Sequence, residues 1–513
     1  MADPVTLVTP TPVPFFVSIA IYFALIGYIG WRAAKSTKTL SDFFVMSGKA
    51  GALVGGFAYF ASQYSMSTFM GVPAITYATG FAGMSISVPG LAFSMIIPAL
   101  FVGRKLMIMG KKYGFLTMTD YLSDRYESNA IRAVHAVMMI GFLVAIMGAQ
   151  TVGAGVILRT FTGLPEWMGV VGMGVIVICY CMAGGMKGAM MTDVLQGFLM
   201  VTTAIVTFAV SVKAGGGLSH ITASLADANP AYLTHPGAKS NFPWASYMSM
   251  IVMWSFFTIG QPTLFTKFFT MKNYETMFKA VILGTLGMLL SATLIEWAGA
   301  NAIVSVQGLT GKQTDFIVPM LLQGNLNPIL ASILIAGVVS AGMSTIDALL
   351  VVATSGVSRD IYQNLINPRA SEAQIFKLSR WVTVGIGICG IAIGIIKPAS
   401  IFSMIRFAFG GLGIWVAPVI LGMYWKKASR TGAIVSVIFG EALYITMKAK
   451  FSTWSFGFDP LIVCWAATMW VMVLTSLYTQ PASKETIARH FDRLIPRGKA
   501  PEEPAATAQP HVA

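Results

Sequence analysis

Four side chains between Gly337 and Asp347 stand out by type and spacing. Ser340, Ser344, Thr345 and Asp347 lie inside an apolar run from Leu326 to Val357, long enough to cross a bilayer. Ser340 and Ser344 are four residues apart and share a helical face, which Thr345 widens. A lone serine at membrane depth usually bonds back to its own helix. Three hydroxyls beside a carboxylate point instead to a polar site, because a charge in the membrane is costly to keep. Oxygen donors of this kind suit a small hard cation. Other apolar runs carry Asp193, Glu296, Arg406 and Glu441. Asp193, taken from the residues alone, reads as an acid stabilising the first turn of its helix. Arg406 could clamp a carboxylate, pair with Glu296 as a gate, or snorkel to the interface. Glu441 lies in a late run and is given no transport role.

The whole chain is built to keep such groups in lipid. Its 513 residues are 56% hydrophobic and only 11% charged, and the mean hydropathy is +0.72. Apolar runs of more than about 18 residues recur along its length, so it reads as an all-α polytopic membrane protein. The alternation of a membrane barrel is absent. A net charge of +14 could suggest nucleic acid, but the basic residues sit in short loops between spans, where topology explains them. Cys179, Cys181, Cys389 and Cys464 all fall inside spans, and their spacing indicates neither a disulfide nor a zinc site. No nucleophile–base set or metal-ligand cluster indicates an enzyme. Met1–Pro14 has no basic residue ahead of its apolar run, so the first span is expected to be retained.

Hydropathy predicts thirteen transmembrane helices, at 13–31, 52–79, 84–103, 133–158, 167–186, 190–212, 244–266, 280–305, 326–357, 381–397, 400–425, 431–447 and 458–478. One set of loops holds Arg32, Lys35, Arg104, Lys105, Lys111, Lys112, Lys187, Lys267, Arg359, Lys426 and Lys427, among others. The opposite set holds only Arg159, Lys213, Lys239, Lys312, Lys397, Lys448 and Lys450. The first set is read as cytoplasmic, which places the N-terminus outside and the C-terminus in the cytoplasm of a cell-membrane protein. The loop over 306–327 is read as external, with a short helix around Phe316–Leu322. Residues 1–51 form a first span and loop, 52–425 a ten-helix core, 426–478 two accessory spans and 479–513 a polar tail. Within the tail, Ala500–Ala513 reads as disordered.

Two spans are interrupted. The second carries Gly71-Val72-Pro73 after a polar run of Ser62, Gln63, Ser65, Ser67 and Thr68. The seventh carries Gly260-Gln261-Pro262 after Trp254, Phe256 and Phe257. These are the first and sixth helices of the core, corresponding places in two five-helix halves. Interrupted helices so placed point to a transporter's substrate site. Backbone groups freed at membrane depth are tolerated only where they face protein or a cavity. Two plain proline kinks are the alternative.

Six stretches then carry a resemblance: SDFFVMSGKAG (41–51), ASQYSMSTFMGVP (61–73), GGMKGAMMTDVLQG (184–197), IGQPTLFTKFF (259–269), SAGMSTIDALLVVATSGVSRDIY (340–362) and FAFGGLGIWVAPVILGMYWKKASRTGA (407–433). The chain resembles the sodium/solute symporter family, which includes proline, pantothenate, monocarboxylate and sialic acid carriers and the sodium/glucose cotransporters. The resemblance implies a leucine-transporter-type fold with a 5+5 inverted-repeat core, and Na+ as coupling ion. It implies sodium ligands at the carbonyls of Ala61, Tyr64 and Ala341 and the side chains of Ser344 and Thr345. Asp193 matches an acid that some relatives use for sodium release or a second sodium. Those relatives place hydroxyls where this chain has Asp347 and Ala348. Gln63, Ser65 and Thr68 match substrate-contacting positions, Trp254 a substrate-lining aromatic, and Gln150 faces the same core by family analogy.

The expected function is sodium-coupled import of a small organic solute by alternating access. A carboxylate, monocarboxylate or pantothenate-like, is favoured on Arg406 and the hydroxyl run, with proline or another amino acid as the alternative. A transporter-like membrane sensor belongs to another class, and the tail after Tyr478 is too short to hold a kinase. Coupling to protons through Asp193 or Asp347 is a third reading. The partners implied are a small-molecule substrate and the lipid bilayer, with no nucleic acid.

Overall fold

Apolar runs in lipid must satisfy their backbone internally, and the described residues fold almost wholly into helices. The computed structural model describes residues 9–238, 243–449 and 457–492. Lys239, Lys450 and the end of the tail, with Ala500–Ala513, lie outside the described residues. The helices begin with α1 (Pro12–Ala34), α2 (Ala52–Gln63), α3 (Val72–Thr79), α4 (Ala82–Tyr113), α5 (Met118–Arg125) and α6 (Asn129–Thr162). They continue as α7 (Glu166–Met182), α8 (Gly184–Ala214), α9 (Trp244–Phe256), α10 (Pro262–Thr270) and α11 (Tyr274–Ser305). After these come α12 (Ile317–Asn325), α13 (Pro328–Ser355), α14 (Glu372–Ile396), α15 (Ile401–Ile414), α16 (Arg430–Ala449) and α17 (Pro460–Leu477). Ten helices among the described residues are long and apolar enough to cross a membrane, and Trp244–Gly260 with Pro262–Thr270, bent by 54°, makes an eleventh. Of the other expected spans, 52–79 is broken in mid-course and Glu166–Met182 is a shorter apolar helix.

Side-chain caps set where several helices begin. Ser128, Asn273 and Asn327 each accept a backbone N–H of the first turn of α6, α11 and α13. The boundary between α7 and α8 falls at Gly185, not at the hydropathy dip around Lys187. Gly185 has φ +54°, and a Cβ there would sit 2.5 Å from the Phe43 ring, so only glycine turns the chain at this point. Asp193 therefore lies more than two turns inside α8, and its reading as a first-turn acid is not upheld. The short helix expected near Phe316–Leu322 is α12, entered through a tight turn at Gly311–Phe316.

α13 is the centre of the molecule. Every residue from Leu334 to Ser355 is buried, and the helix packs against α1, α6, α8 and α14 with α2 alongside. α1 is a lipid-facing helix by contrast, exposing Ile21, Leu25, Tyr28 and Trp31 while turning Tyr22 inward.

Candidate functional site: a broken helix against α13

The two interrupted spans break in the same way. α2 stops at Gln63 and Tyr64 is extended, at φ −85° and ψ 100°. Gln261, between Gly260 and Pro262, is extended at φ −90° and ψ 110°. The second break falls where the Gly-Gln-Pro motif places it. The first falls seven residues before Gly71, at Tyr64 and Ser65. Gly71 itself is helical (φ −72°, ψ −39°), and a wide turn over Ser67–Gly71 leads into the helix that holds Pro73. Such a turn absorbs the N–H that proline lacks. Close approach of α11 holds this half-helix, since a Cβ on Gly299 would lie 2.5 Å from the Pro73 backbone.

A helix that stops inside the protein leaves carbonyls without partners in its last turn. The Ser65 N–H, which would have served the Ala61 carbonyl, turns to the Thr68 hydroxyl at 3.5 Å. The Ala61 carbonyl instead accepts from the Ser344 hydroxyl of α13 at 3.1 Å. The Ser344 hydroxyl also lies 3.2 Å from the Ala341 carbonyl, which accepts from Thr345 at 2.9 Å. Ala61, Tyr64, Ala341, Ser344 and Thr345 are all buried. Two carbonyl and two hydroxyl oxygens are thus gathered at the break, with Tyr64 at the free end of α2. These neutral oxygens fit a sodium ion, which favours oxygen ligands and must be held weakly enough to leave.

Beside the break lies a cavity of about 20 Å³, lined by Gln63, Ser65, Ser67, Thr68, Trp254, Phe257, Phe402 and Phe409 among others. That volume is room for about one water, so the pocket is closed in this conformation. Gln63, Ser65, Thr68 and Trp254 are therefore brought together as expected. The polar side comes from the break, and the apolar side is an aromatic wall. Trp254 stands 5.4 Å from Phe257 and 6.1 Å from Phe409, measured between ring centroids. Gln150 is not in the wall. Its Oε1 accepts the Met66 N–H at 2.8 Å, which ties α6 to the break.

The remaining charges depart from expectation. Arg406 forms an ion pair with Asp459 at the start of α17, so the Arg406–Glu296 pair does not form. Nor does Arg406 line the pocket, although Phe402, Ile405 and Phe409 of the same helix do. Its guanidinium turns instead to Asp459. Glu296 is buried on α11, where its carbonyl accepts from Thr76 of α3 at 3.0 Å. Asp347 accepts from the Tyr180 hydroxyl at 2.9 Å.

Lys267, counted above among loop residues, lies in α10 with no exposure and pairs with Asp193 at 3.4 Å. Its apolar flanks, Leu264–Phe265 and Phe268–Phe269, were the sign of a buried lysine. Ser67, named in the polar run but not singled out for solute contact, also lines the pocket, and so do Phe402 and Phe409, which were missed because α15 reaches this pocket only through the tertiary fold.

The family model described as "Sodium:solute symporter family" matches residues 43–440. The chain belongs to that family. As a member it is a sodium-coupled symporter, a multi-pass membrane protein that carries a small-molecule solute with Na+ as its coupling ion. The symporter is 27% identical over 454 residues to a sodium/pantothenate symporter of Escherichia coli (strain K12), covering 88% of this chain and 92% of the relative. It is 25% identical over 464 residues to a high-affinity proline transporter of Bacillus subtilis (strain 168), covering 89% and 96%. Among solved structures, a Na+-coupled sialic acid symporter in a substrate-bound outward-open state superposes with a TM-score of 0.79 at 20% identity, covering 92% of this chain and 99% of that one. Mhp1, a nucleobase-cation-symport-1 family transporter, gives 0.56 at 13% identity, covering 89% and 98%. These likenesses carry the fold, the leucine-transporter-type arrangement expected above.

Proposed function

We propose that this symporter imports a small carboxylate with an apolar body across the cell membrane, its Lys- and Arg-rich face in the cytoplasm. The reading is carried by the pairing of the Ser344 hydroxyl with the Ala61 carbonyl, directly beside the pocket. Sodium entering there takes up the Ala61, Tyr64 and Ala341 carbonyls and the Ser344 and Thr345 hydroxyls. In doing so it ties the broken helix to α13. That fixes the same backbone break that presents Gln63, Ser65 and Thr68 to the solute, so ion and solute bind with positive coupling. Inward opening then releases both.

Among the described residues that line the pocket none is cationic, so we assign the carboxylate no contact with Arg406. The pocket's donors are the Ser65, Ser67 and Thr68 hydroxyls, the Gln63 amide, and the N-terminal end of the half-helix that begins after the break, whose dipole favours an anion. Trp254 and its neighbouring rings bury the apolar part. Pantothenate and proline, named in two relatives, both bear a carboxylate. A second reading, a zwitterionic amino acid such as proline, is favoured by one observation: the Gln63 Oε1 is buried with no hydrogen-bond partner and could accept from an ammonium.

Uptake by proteoliposomes under an inward Na+ gradient tests both. Sodium-dependent uptake of monocarboxylates or pantothenate, weakly inhibited by proline, is expected. Preferential uptake of proline would select the second reading, and uptake undiminished when K+ replaces Na+ at fixed pH would overturn sodium coupling.

A further inference from the structure

The buried ion pair of Asp193 and Lys267 sits among polar groups that the transport cycle above leaves unused. Asp193 and Lys267 have no exposure, and Asp347, Gln196 and Tyr22 are buried with them. Tyr22 of α1 accepts from the Gln196 amide and the Ser340 hydroxyl, each at 3.0 Å. Tyr180 of α7 serves one oxygen of Asp347 at 2.9 Å. Asp193 and Asp347 interact electrostatically, and both interact with Lys267. One oxygen each of Asp193, Asp347 and Gln196 is buried without a hydrogen-bond partner. Ser344 and Asp347 are three residues apart and neighbours on one face of α13.

With both carboxylates ionised, the two acids and the one ammonium leave a single negative charge in a desolvated interior, which is unfavourable. The sodium site at Ala61 and Ser344 has only neutral ligands, one helical turn from Asp347. One sodium there brings the local sum to zero, and a second would make it positive.

We propose that Lys267 is a tethered cation that takes the place of a second coupling ion and fixes this symporter's stoichiometry at one Na+ per cycle. The proposal rests on the sodium site proposed above. With the lysine removed, the local charge is −2. The freed oxygens of Asp193, Asp347 and Gln196 then offer a second Na+ the hard, anionic donors it favours.

Equilibrium binding of ²²Na+ to the purified full-length protein at alkaline pH counts the ions directly and needs no solute. The wild type is expected to bind one Na+ per chain, Lys267→Arg one, and Lys267→Met two. Two ions on the wild type, or one on Lys267→Met, would overturn the proposal. Should Lys267→Met fail to fold, Lys267→Gln decides, since it removes the same charge while keeping a polar end: two ions are expected, and one would overturn the proposal. The Ser344→Ala/Thr345→Ala double variant separates the two readings. If the wild type's single ion survives it, the sodium site is wrong. One ion lost in that variant, with one ion still on Lys267→Met, defeats only the role of Lys267.

Discussion

A hydroxyl at the proposed sodium site has two tasks in one cycle. Ser344 bonds the Ala61 carbonyl directly and must exchange that bond for one to the ion. Ser344→Ala and Thr345→Ala each remove one neutral oxygen from the proposed set. The loss of a hydrogen-bond-scale contact is about 1–1.5 kcal/mol, so the Na+ concentration for half-maximal uptake should rise about tenfold. Unchanged sodium dependence in both variants would remove the site. Trp254→Ala should act on the other ligand. It opens the aromatic wall, where ring contacts contribute about 0.5–1.5 kcal/mol beyond area burial. Half-saturation by solute is expected to rise at least severalfold, with a smaller change for sodium. The reverse order would place that ring away from the solute.

At the scale of the element, what was legible in the sequence was local. The apolar runs, the Gly-Gln-Pro break and the hydroxyl face of α13 follow from short-range rules. The first break was misplaced by seven residues because Gly71 and Pro73 look like breakers, while Tyr64 and Ser65 have no breaking propensity of their own. Tertiary bonds open the helix there, from Gln150 to Met66 and from Ser344 to Ala61. The partner of Arg406 was likewise hidden, since Asp459 is 53 residues away in sequence and capped the next-but-one span. The hairpin of Gly311–Phe316 and α12 gives a prediction at this scale. It lies between spans and packs on α3, α6 and the break, with Asp315 buried against the first N–H of α15 at 3.5 Å. Burial pushes the Asp315 carboxyl up to about 6, with Lys397 opposing. A raised acid favours the docked hairpin when protonated. Its stabilising contribution is complete below about pH 4, the unfolded value, and is lost as pH rises through about 6. Asp315→Asn should stay docked across that range. The wild type's melting temperature is expected to fall from pH 5 to pH 7.5 relative to the variant, and parallel curves would show that Asp315 does not govern docking.

For the whole molecule, stoichiometry decides how much work the membrane can supply. One charge moving through 100 mV yields about 2.3 kcal/mol, and a tenfold sodium gradient about 1.4 kcal/mol. A zwitterion carried with one Na+ draws on both and could be concentrated a few hundredfold, on the order of 3.7 kcal/mol. A monoanion carried with one Na+ moves no net charge and draws on the chemical gradient alone, for about tenfold accumulation. With Lys267 holding the count at one, carboxylate uptake should be electroneutral. Proteoliposomes clamped by valinomycin at different K+ gradients should accumulate the carboxylate to the same level whatever the potential. Lys267→Met, carrying two sodium ions, should become sensitive to it, with accumulation rising about tenfold for each 60 mV. A wild type that responds to voltage while carrying a monoanion must be moving more than one sodium, and the lysine would then be only a structural partner of Asp193.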